Sequence, residues 1–195
     1  DPHLKQVVSH TFEAGLRGRV AGGTTPALDW HAGLFRTTSD DDILFVASQT
    51  IGRAFFRNVG TTRRQGVEAG LRASSGRWTA HLDYAFTDAT FRTPLTLSSE
   101  DNPHADDDGN IHVRRGDRLA GIPRHTLKFG VDYGVTERWT LGVEGRAASG
   151  QVLFGDESNR TPKTDPYVVL NLHTAYWLTP RVQVFGLVEN MFNRK

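Results

Sequence analysis

The chain contains no cysteine and a single methionine in 195 residues. Without thiols there is no disulfide framework and no Cys-based metal site. Charge of one sign is missing too. Lys and Arg number 23 against 22 Asp and Glu, for a net charge of +1. No Lys/Arg-rich run compensates, so nothing here recruits nucleic acid electrostatically. No apolar run approaches the ~18 residues that a membrane-spanning helix needs. This excludes helical membrane proteins only, because a barrel strand shows lipid every second residue and a mean hydropathy of -0.44 suits it equally. No basic-plus-apolar leader follows Asp1, so the expectation is a mature segment or a piece of a longer chain. Catalytic signatures are absent as well. There is no Gly-x-Ser-x-Gly elbow, no His-Glu-x-x-His and no Walker loop. The eight histidines are dispersed without ligand spacing. The expectation is a non-enzyme with no metal site and no cofactor.

What the sequence does have is alternation with a period of two, which marks strands. Eight strands are predicted. The first, around 8 to 20, sets Phe12, Ala14, Leu16 and Val20 against Glu13, Arg17 and Arg19. The second sets Leu28, Trp30, Ala32 and Leu34 against Asp29, His31 and Gly33. The third carries Val67, Ala69 and Leu71 opposite Glu68, Gly70 and Arg72. In the fourth, Trp78, Ala80, Leu82, Tyr84 and Phe86 alternate with Thr79, His81, Asp83, Ala85 and Thr87. The fifth has Leu127, Phe129, Val131 and Tyr133 opposite Lys128, Gly130 and Asp132. The sixth has Trp139, Leu141 and Val143 opposite Thr140, Glu144 and Arg146. The seventh runs from Tyr167 to Trp177, with Val168, Leu170, Leu172 and Tyr176 opposite Asn171, His173 and Trp177. An eighth begins at Val182 with mixed faces, Phe185 and Leu187 sharing a side with Gln183 and Glu189.

Connection lengths alternate. "AGGTTPA", "SSG", "VTE" and "TP" are short, whereas 38 to 52, 93 to 121 and 151 to 166 are long. Antiparallel strands joined this way gather every short turn at one end. Trp30, Trp78, Trp139 and Trp177 all lie within a few residues of a short turn, with Tyr133 and Tyr176 beside them. A ring of Trp and Tyr at one level is the aromatic girdle of an outer-membrane barrel. Ten residues at ~3.3 Å each, tilted ~40°, climb about 25 Å, the height of the apolar band. The competing pattern is a soluble β-sandwich. It gives no reason for tryptophans to gather at one end, nor for polar faces dense in charges of both signs. Arg36 breaks the alternation on the apolar side; a bulge or a place at the upper interface would accommodate it.

From "NVGTTRRQGVE" onward the chain resembles the barrel of TonB-dependent outer-membrane receptors. Asn58, Gly60, Gly66, Val67 and Glu68 match that family's Asn-x-Gly and Gly-Val/Ile-Glu. "YAFTDATF" (84 to 91), "GIPRHTLKFGVDY" (121 to 133, with Pro123), "LFGDESN" (153 to 159) and "VFGLVENMFNRK" (184 to 195, with Asn190 and Phe192) follow in the family's order. The resemblance implies an all-β fold: about eight strands of an antiparallel barrel of roughly 22 strands. It further implies a bacterial outer-membrane location and a lipid-facing exterior. A plug domain N-terminal in the same protein, a TonB-type energy-coupling partner and an extracellular small-molecule ligand belong to the same expectation. The plug, the signal peptide and the final strand are expected to lie outside this segment, and residues 1 to 195 to form one partial barrel domain.

On this reading Glu13, Arg17, Glu68, Arg72, His81, Asp83, Lys128, Asp132, Glu144, Arg146 and His173 face the lumen. There they pair across strands or simply keep the wall wet. Gly60 and Gly66 relieve backbone strain. The long loop "SSEDNPHADDDGNIHVRRGDR" is the candidate ligand surface through His104, Asp106, Asp107, Asp108, His112, Arg114 and Arg115. A calcium EF-hand is excluded there, because Gly109 at the sixth position would end the loop on Arg115 instead of Glu. A solvated, mobile acidic loop is the expected state. Asp156 and Glu157 in "GDESNR" are either ligand contacts or parts of an Asx-rich turn, with the turn preferred. The function implied is energised uptake of a scarce ligand, with ferric siderophores favoured. The rivals are a passive porin, a membrane-embedded hydrolase and a soluble binding module.

Overall fold

Alternating sequences form pleated strands whose two faces differ in polarity, and they pair so that like faces align. The computed structural model describes residues 4–21, 26–47 and 54–194. Among them are twelve strands and no α-helix. Eight form one antiparallel sheet: β1 (Val8–Val20), β2 (Ala27–Asp40), β5 (Thr62–Ser75), β6 (Trp78–Phe91), β9 (His125–Gly134), β10 (Trp139–Ala148), β11 (Tyr167–Thr179) and β12 (Val182–Val188), in that spatial order. These are the eight strands read from the sequence, several extended by a turn's worth of residues at the long-loop end. The remaining four make two hairpins, β3 (Ile43–Ala47) with β4 (Ala54–Asn58) and β7 (Leu95–Ser98) with β8 (Asn110–Val113). The sequence pattern did not reveal these hairpins. Within "AGGTTPA", residues 22–25 lie outside the described residues.

Among the described residues no second sheet covers the apolar face of this sheet. Phe12 and Leu16 are 76% and 74% exposed, and Leu34, Leu71, Trp78, Leu82, Val131, Val143 and Val184 are exposed with them. Soluble proteins rarely leave a contiguous apolar face of this extent in water. A sandwich would have buried it, so its bareness argues for lipid.

Neighbouring rows locate the girdle. Trp30 pairs with Leu71, which pairs with Leu82. Trp78 lies four residues before Leu82 and pairs with Tyr133, at a ring-centroid distance of 4.4 Å. Trp139 lies a further two residues toward the turn, since Leu141 pairs with Tyr133. The girdle thus shifts by six residues over the four strand steps from β2 to β10. A band at constant height crosses the rows in this way only if the strands tilt, here by roughly 45°, as in a closed barrel. Trp139 pairs with Tyr176, and its indole N–H donates to Thr174 Oγ1 at 2.8 Å.

One expectation is corrected. Trp177 pairs with Gln183 beside a register shift, on the face of His173, so it stands across the wall from the other three tryptophans. Of the two places offered for Arg36, the bulge is excluded, because the registers run unbroken from Leu34 to Ser39 on both sides. Arg36 sits instead in a polar row with Gln65 and Asp88, above the last apolar row of Leu34, Val67 and Phe86.

Candidate functional site

The inward wall is built from the odd-numbered residues of β6 and their partners. All eleven residues read as lumen-facing share this face. Arg17, His31, Gly70, Asp83, Lys128 and Arg146 form one row, and Arg72, His81, Gly130 and Glu144 the next. Glu13 and Glu68 lie nearer the long loops, and Asp132 and His173 nearer the short turns.

An unexpected pattern recurs on this wall. A glycine on a middle strand separates a histidine on one side from a carboxylate on the other. The three sets are His31–Gly70–Asp83, His81–Gly130–Glu144 and His173–Gly142–Asp132. Flanking strands stand ~10 Å apart, too far for side chains to meet over an intervening Cβ. Glycine leaves the gap open, and His173 Nε2 meets Asp132 Oδ1 at 2.7 Å. A Cβ on Gly142 would collide with both partners, and one on Gly70 with His31 and Asp83. Arg17, Asp29, His31, Arg72, His81 and Asp83 border a shallow groove of about 760 Å³.

At the long-loop end the same inward face becomes apolar. Ala89 and Phe91 continue the parity of His81 and Asp83, and both hairpins pack onto them. Phe91 is fully buried among Val46, Val59, Leu97, Ile111, Val113 and Leu119. Arg57 of β4 donates to the Thr96 carbonyl of β7 at 3.2 Å, tying one hairpin to the other. This is the principal buried core among the described residues, and it lies in the loops.

Residues 149–166 are clipped onto that cap. Ser99 Oγ and Asn102 Nδ2 donate to the Gly155 carbonyl at 2.6 and 2.7 Å. Asn159 exchanges two hydrogen bonds with the Arg118 backbone. Asp156, 3% exposed, accepts from Thr161 N–H and Oγ1, Arg160 N–H, Ser158 and Asn102. Burial raises its pKa, but the Thr161, Arg160 and Asn102 donors outweigh burial and hold it below the usual aspartate value. Glu157, 7% exposed, accepts from the Gly155 N–H at 3.2 Å, and burial pushes its carboxyl up. The "GDESNR" segment is therefore the turn that the sequence reading preferred, with its two acids turned inward.

His104, Asp106, Asp107, Asp108, His112, Arg114 and Arg115 are all exposed, and they cluster at and beside the β7–β8 hairpin. The expected mobile loop is instead folded. Asp106 Oδ1 accepts from the Asp108 and Asn110 N–H groups, and Oδ2 meets His112 Nε2 at 3.1 Å. The Asn110 N–H foremost, then Asp108 and His112, draw the Asp106 carboxyl down. Gly109 takes φ +74°, the left-handed turn that glycine permits. Ser98 pairs with Asn110, so residues 99–109 connect the two strands and Gly109 ends that connection. The sequence reading also missed the exposed Phe45–Phe56 pair, with ring centroids 5.3 Å apart on the β3–β4 hairpin.

The motif residues hold backbone. Asn58 Nδ2 donates to the Asp41 and Lys5 carbonyls. Gly60 has φ +75°, and Gly66 lies too close to the Phe86 carbonyl for any Cβ. Asn190, at φ 51°, bonds the Arg194 N–H and carbonyl. Pro123 is half-buried and Phe192 exposed.

The model of the TonB-dependent receptor-like β-barrel family matches residues 1–191. The chain belongs to this family. TonB-dependent receptors are transporter receptors and not enzymes, and membership implies a place in the bacterial outer membrane. The vitamin B12 transporter BtuB of Photobacterium profundum is 24% identical over 197 residues, covering 100% of this chain and 28% of that protein. The fold is shared with the ferric yersiniabactin uptake receptor FyuA of Yersinia pestis, at TM-score 0.68 and 19% identity over 96% of this chain and 25% of that one. It is shared also with the copper transporter OprC, at TM-score 0.67 and 20% identity over 99% and 26%. The ferric-catecholate import receptor Fiu of E. coli gives TM-score 0.67 and 20% identity over 98% and 24%. The chain spans about a quarter of the length of these relatives, and the TonB-dependent receptor sheet is correspondingly open, with β1 and β12 at its edges.

Proposed function

We propose that this chain is part of an outer-membrane receptor that takes up a scarce extracellular ligand with energy from a TonB-type partner, and that the ligand is of the ferric-siderophore class. The observation that carries the reading is the cap. Two hairpins seated on the inward face at the long-loop end present exposed charged and aromatic groups beside the lumen. Arg114 and Arg115 suit an anionic metal chelate, since guanidinium groups donate to oxyanions in a fixed fork. Phe45 and Phe56 offer flat apolar surface to an aromatic or macrocyclic ligand. Fiu is a ferric-catecholate import receptor and FyuA a ferric yersiniabactin uptake receptor, which supports the class, while BtuB and OprC bring in vitamin B12 and copper. The charged lumen wall offers a polar lining to a plug domain elsewhere in the full-length protein.

The test is uptake and binding by the full-length protein. A ferric catecholate, a ferric hydroxamate, cobalamin and copper are each titrated against the parent and an Arg114→Gln/Arg115→Gln variant. Binding of one ferric chelate, weakened roughly tenfold or more by the variant, with uptake abolished by collapsing the proton gradient, is the expected result. Passage of small solutes that ignores the gradient would establish the porin rival instead.

A further inference from the structure

The inward wall is charged over most of its width, and one corner of it is not. Phe185 pairs with Ala175 and Leu187 with His173, so both share the inward face with Trp177. Phe185 is 78% exposed, Leu187 54% and Trp177 42%. Next to them on β10 stand Thr140, opposite Ala175, and Gly142, opposite His173, and neither is large enough to lean over the patch. The girdle does not account for these residues, because Trp139 and its partner Tyr176 lie on the outward face. Nor does the open edge, since a strand added beside β12 extends the sheet in its plane and covers neither face. A water-filled lumen would leave the patch wetted, at a cost that grows with its apolar area.

We infer that Trp177, Phe185 and Leu187 form an apolar seat for a cluster of aliphatic or aromatic side chains on the plug domain, and that this corner is the last part of the plug to leave the wall. The inference rests on the receptor reading above. The occupant of the seat comes from the same protein: most of the length of relatives such as BtuB and OprC lies outside the part that this chain matches, and a closed barrel admits nothing through its wall. The order of separation follows from the chemistry of the two contacts. Against the charged rows of Arg17 and Arg72, water replaces a plug donor or acceptor at little net cost. At the seat water has nothing to offer, and parting exposes apolar surface on both sides. Loosening the plug therefore frees the charged side of the wall first, while the corner at β11 and β12 holds.

The experiment uses the full-length protein in detergent, with any cysteine elsewhere replaced by serine; this chain has none. Phe185→Cys, Leu187→Cys and, on the charged wall, Lys128→Cys are reacted one at a time with a charged maleimide while urea is raised. Heat-modifiable gel mobility marks the range in which the barrel stays folded, and rates are compared within that range. Without urea, the Phe185→Cys and Leu187→Cys thiols should react roughly tenfold or more slowly than in the unfolded protein. As urea rises, the Lys128→Cys thiol should open at a lower concentration than either. Adding Phe185→Ser should bring the opening of Leu187→Cys down to that of Lys128→Cys, whereas Phe185→Leu should not. Seat thiols as reactive as in the unfolded protein, opening together with or before Lys128→Cys, or indifferent to Phe185→Ser, would overturn the inference. Should one seat variant not fold, the other position carries the same comparison. A full-length protein with no domain outside the barrel strands would overturn the receptor reading itself, an outcome distinct from a plug that leaves the seat bare.

Discussion

Removing the Phe91 ring separates the cap from the barrel beneath it. Phe91 is fully buried, yet its neighbours Leu97, Ile111, Val113 and Leu119 all belong to the loops. Phe→Ala in a packed core costs about 3–5 kcal/mol. A lone two-stranded hairpin is at best marginal in water, so docking energy supplies most of the order in β7 and β8. A loss of that size multiplies the opening equilibrium by roughly 100-fold to 3,000-fold, at ~1.4 kcal/mol per tenfold. Hydrogen exchange at Leu97, Ile111 and Val113 should accelerate by about that factor in Phe91→Ala, and trypsin should cut at Arg114 and Arg115 on intact cells. Amides of β5 and β6 below the cap should exchange as before, because their hydrogen bonds do not pass through Phe91. Unchanged protection of the hairpin, or equal acceleration down the strands, would refute the claim that the cap is a separate cooperative unit.

Further predictions concern the loop clip and the wall. Asp156→Ala strands the N–H groups of Thr161 and Arg160, each costing about 1–3 kcal/mol, so trypsin cleavage at Lys163 should rise while the folded gel mobility is kept. Glu157 favours its neutral form when folded, so the folded loop holds more protons than the unfolded one above the ordinary glutamate value of 4.5. Loop stability should therefore fall as pH rises through that region, and Glu157→Gln should flatten the exchange-versus-pH curve; a curve unchanged by the substitution rejects the assignment. Asp106 acts oppositely, its contribution being complete above the ordinary value of 3.8 and lost as pH drops beneath it. On the wall, Gly142→Ala collides with Asp132 and His173, whereas a Cβ at Gly33 meets only the Ala14 carbonyl at 3.7 Å. Thermal unfolding in detergent should show Gly142→Ala clearly the less stable of the two variants.

The eight strands were legible because membrane strands write their period into ten or more residues, and because tryptophan marks one end of each hairpin. β1 could be bounded from Phe12, Leu16 and their charged neighbours alone. The hairpins were not legible, since "LTLS" and "NIHV" hold only two apolar residues each and their burial depends on Phe91, far away in sequence. Trp177 shows the limit of nearness to a turn as a signal: it marks the level of a residue, whereas the side follows from alternation, which sets Trp177 with His173. The exposed site candidates around Asp106 were legible as loop residues. Asp156 and Glu157 could be placed only once Asn102 and Ser99 were known to dock on their turn. The lumen charges were legible as a face, but the glycines that let His173 reach Asp132 required the order of three strands.

That glycine-bridged contact bears on adhesion. Where His173 and Asp132 close on each other the wall keeps two polar groups for itself, whereas Arg17, Lys128 and Arg146 pair with no carboxylate among the described residues and stay available to whatever lies against them. Polar grip along this face is therefore uneven, weaker near the short turns than at the row of Arg17.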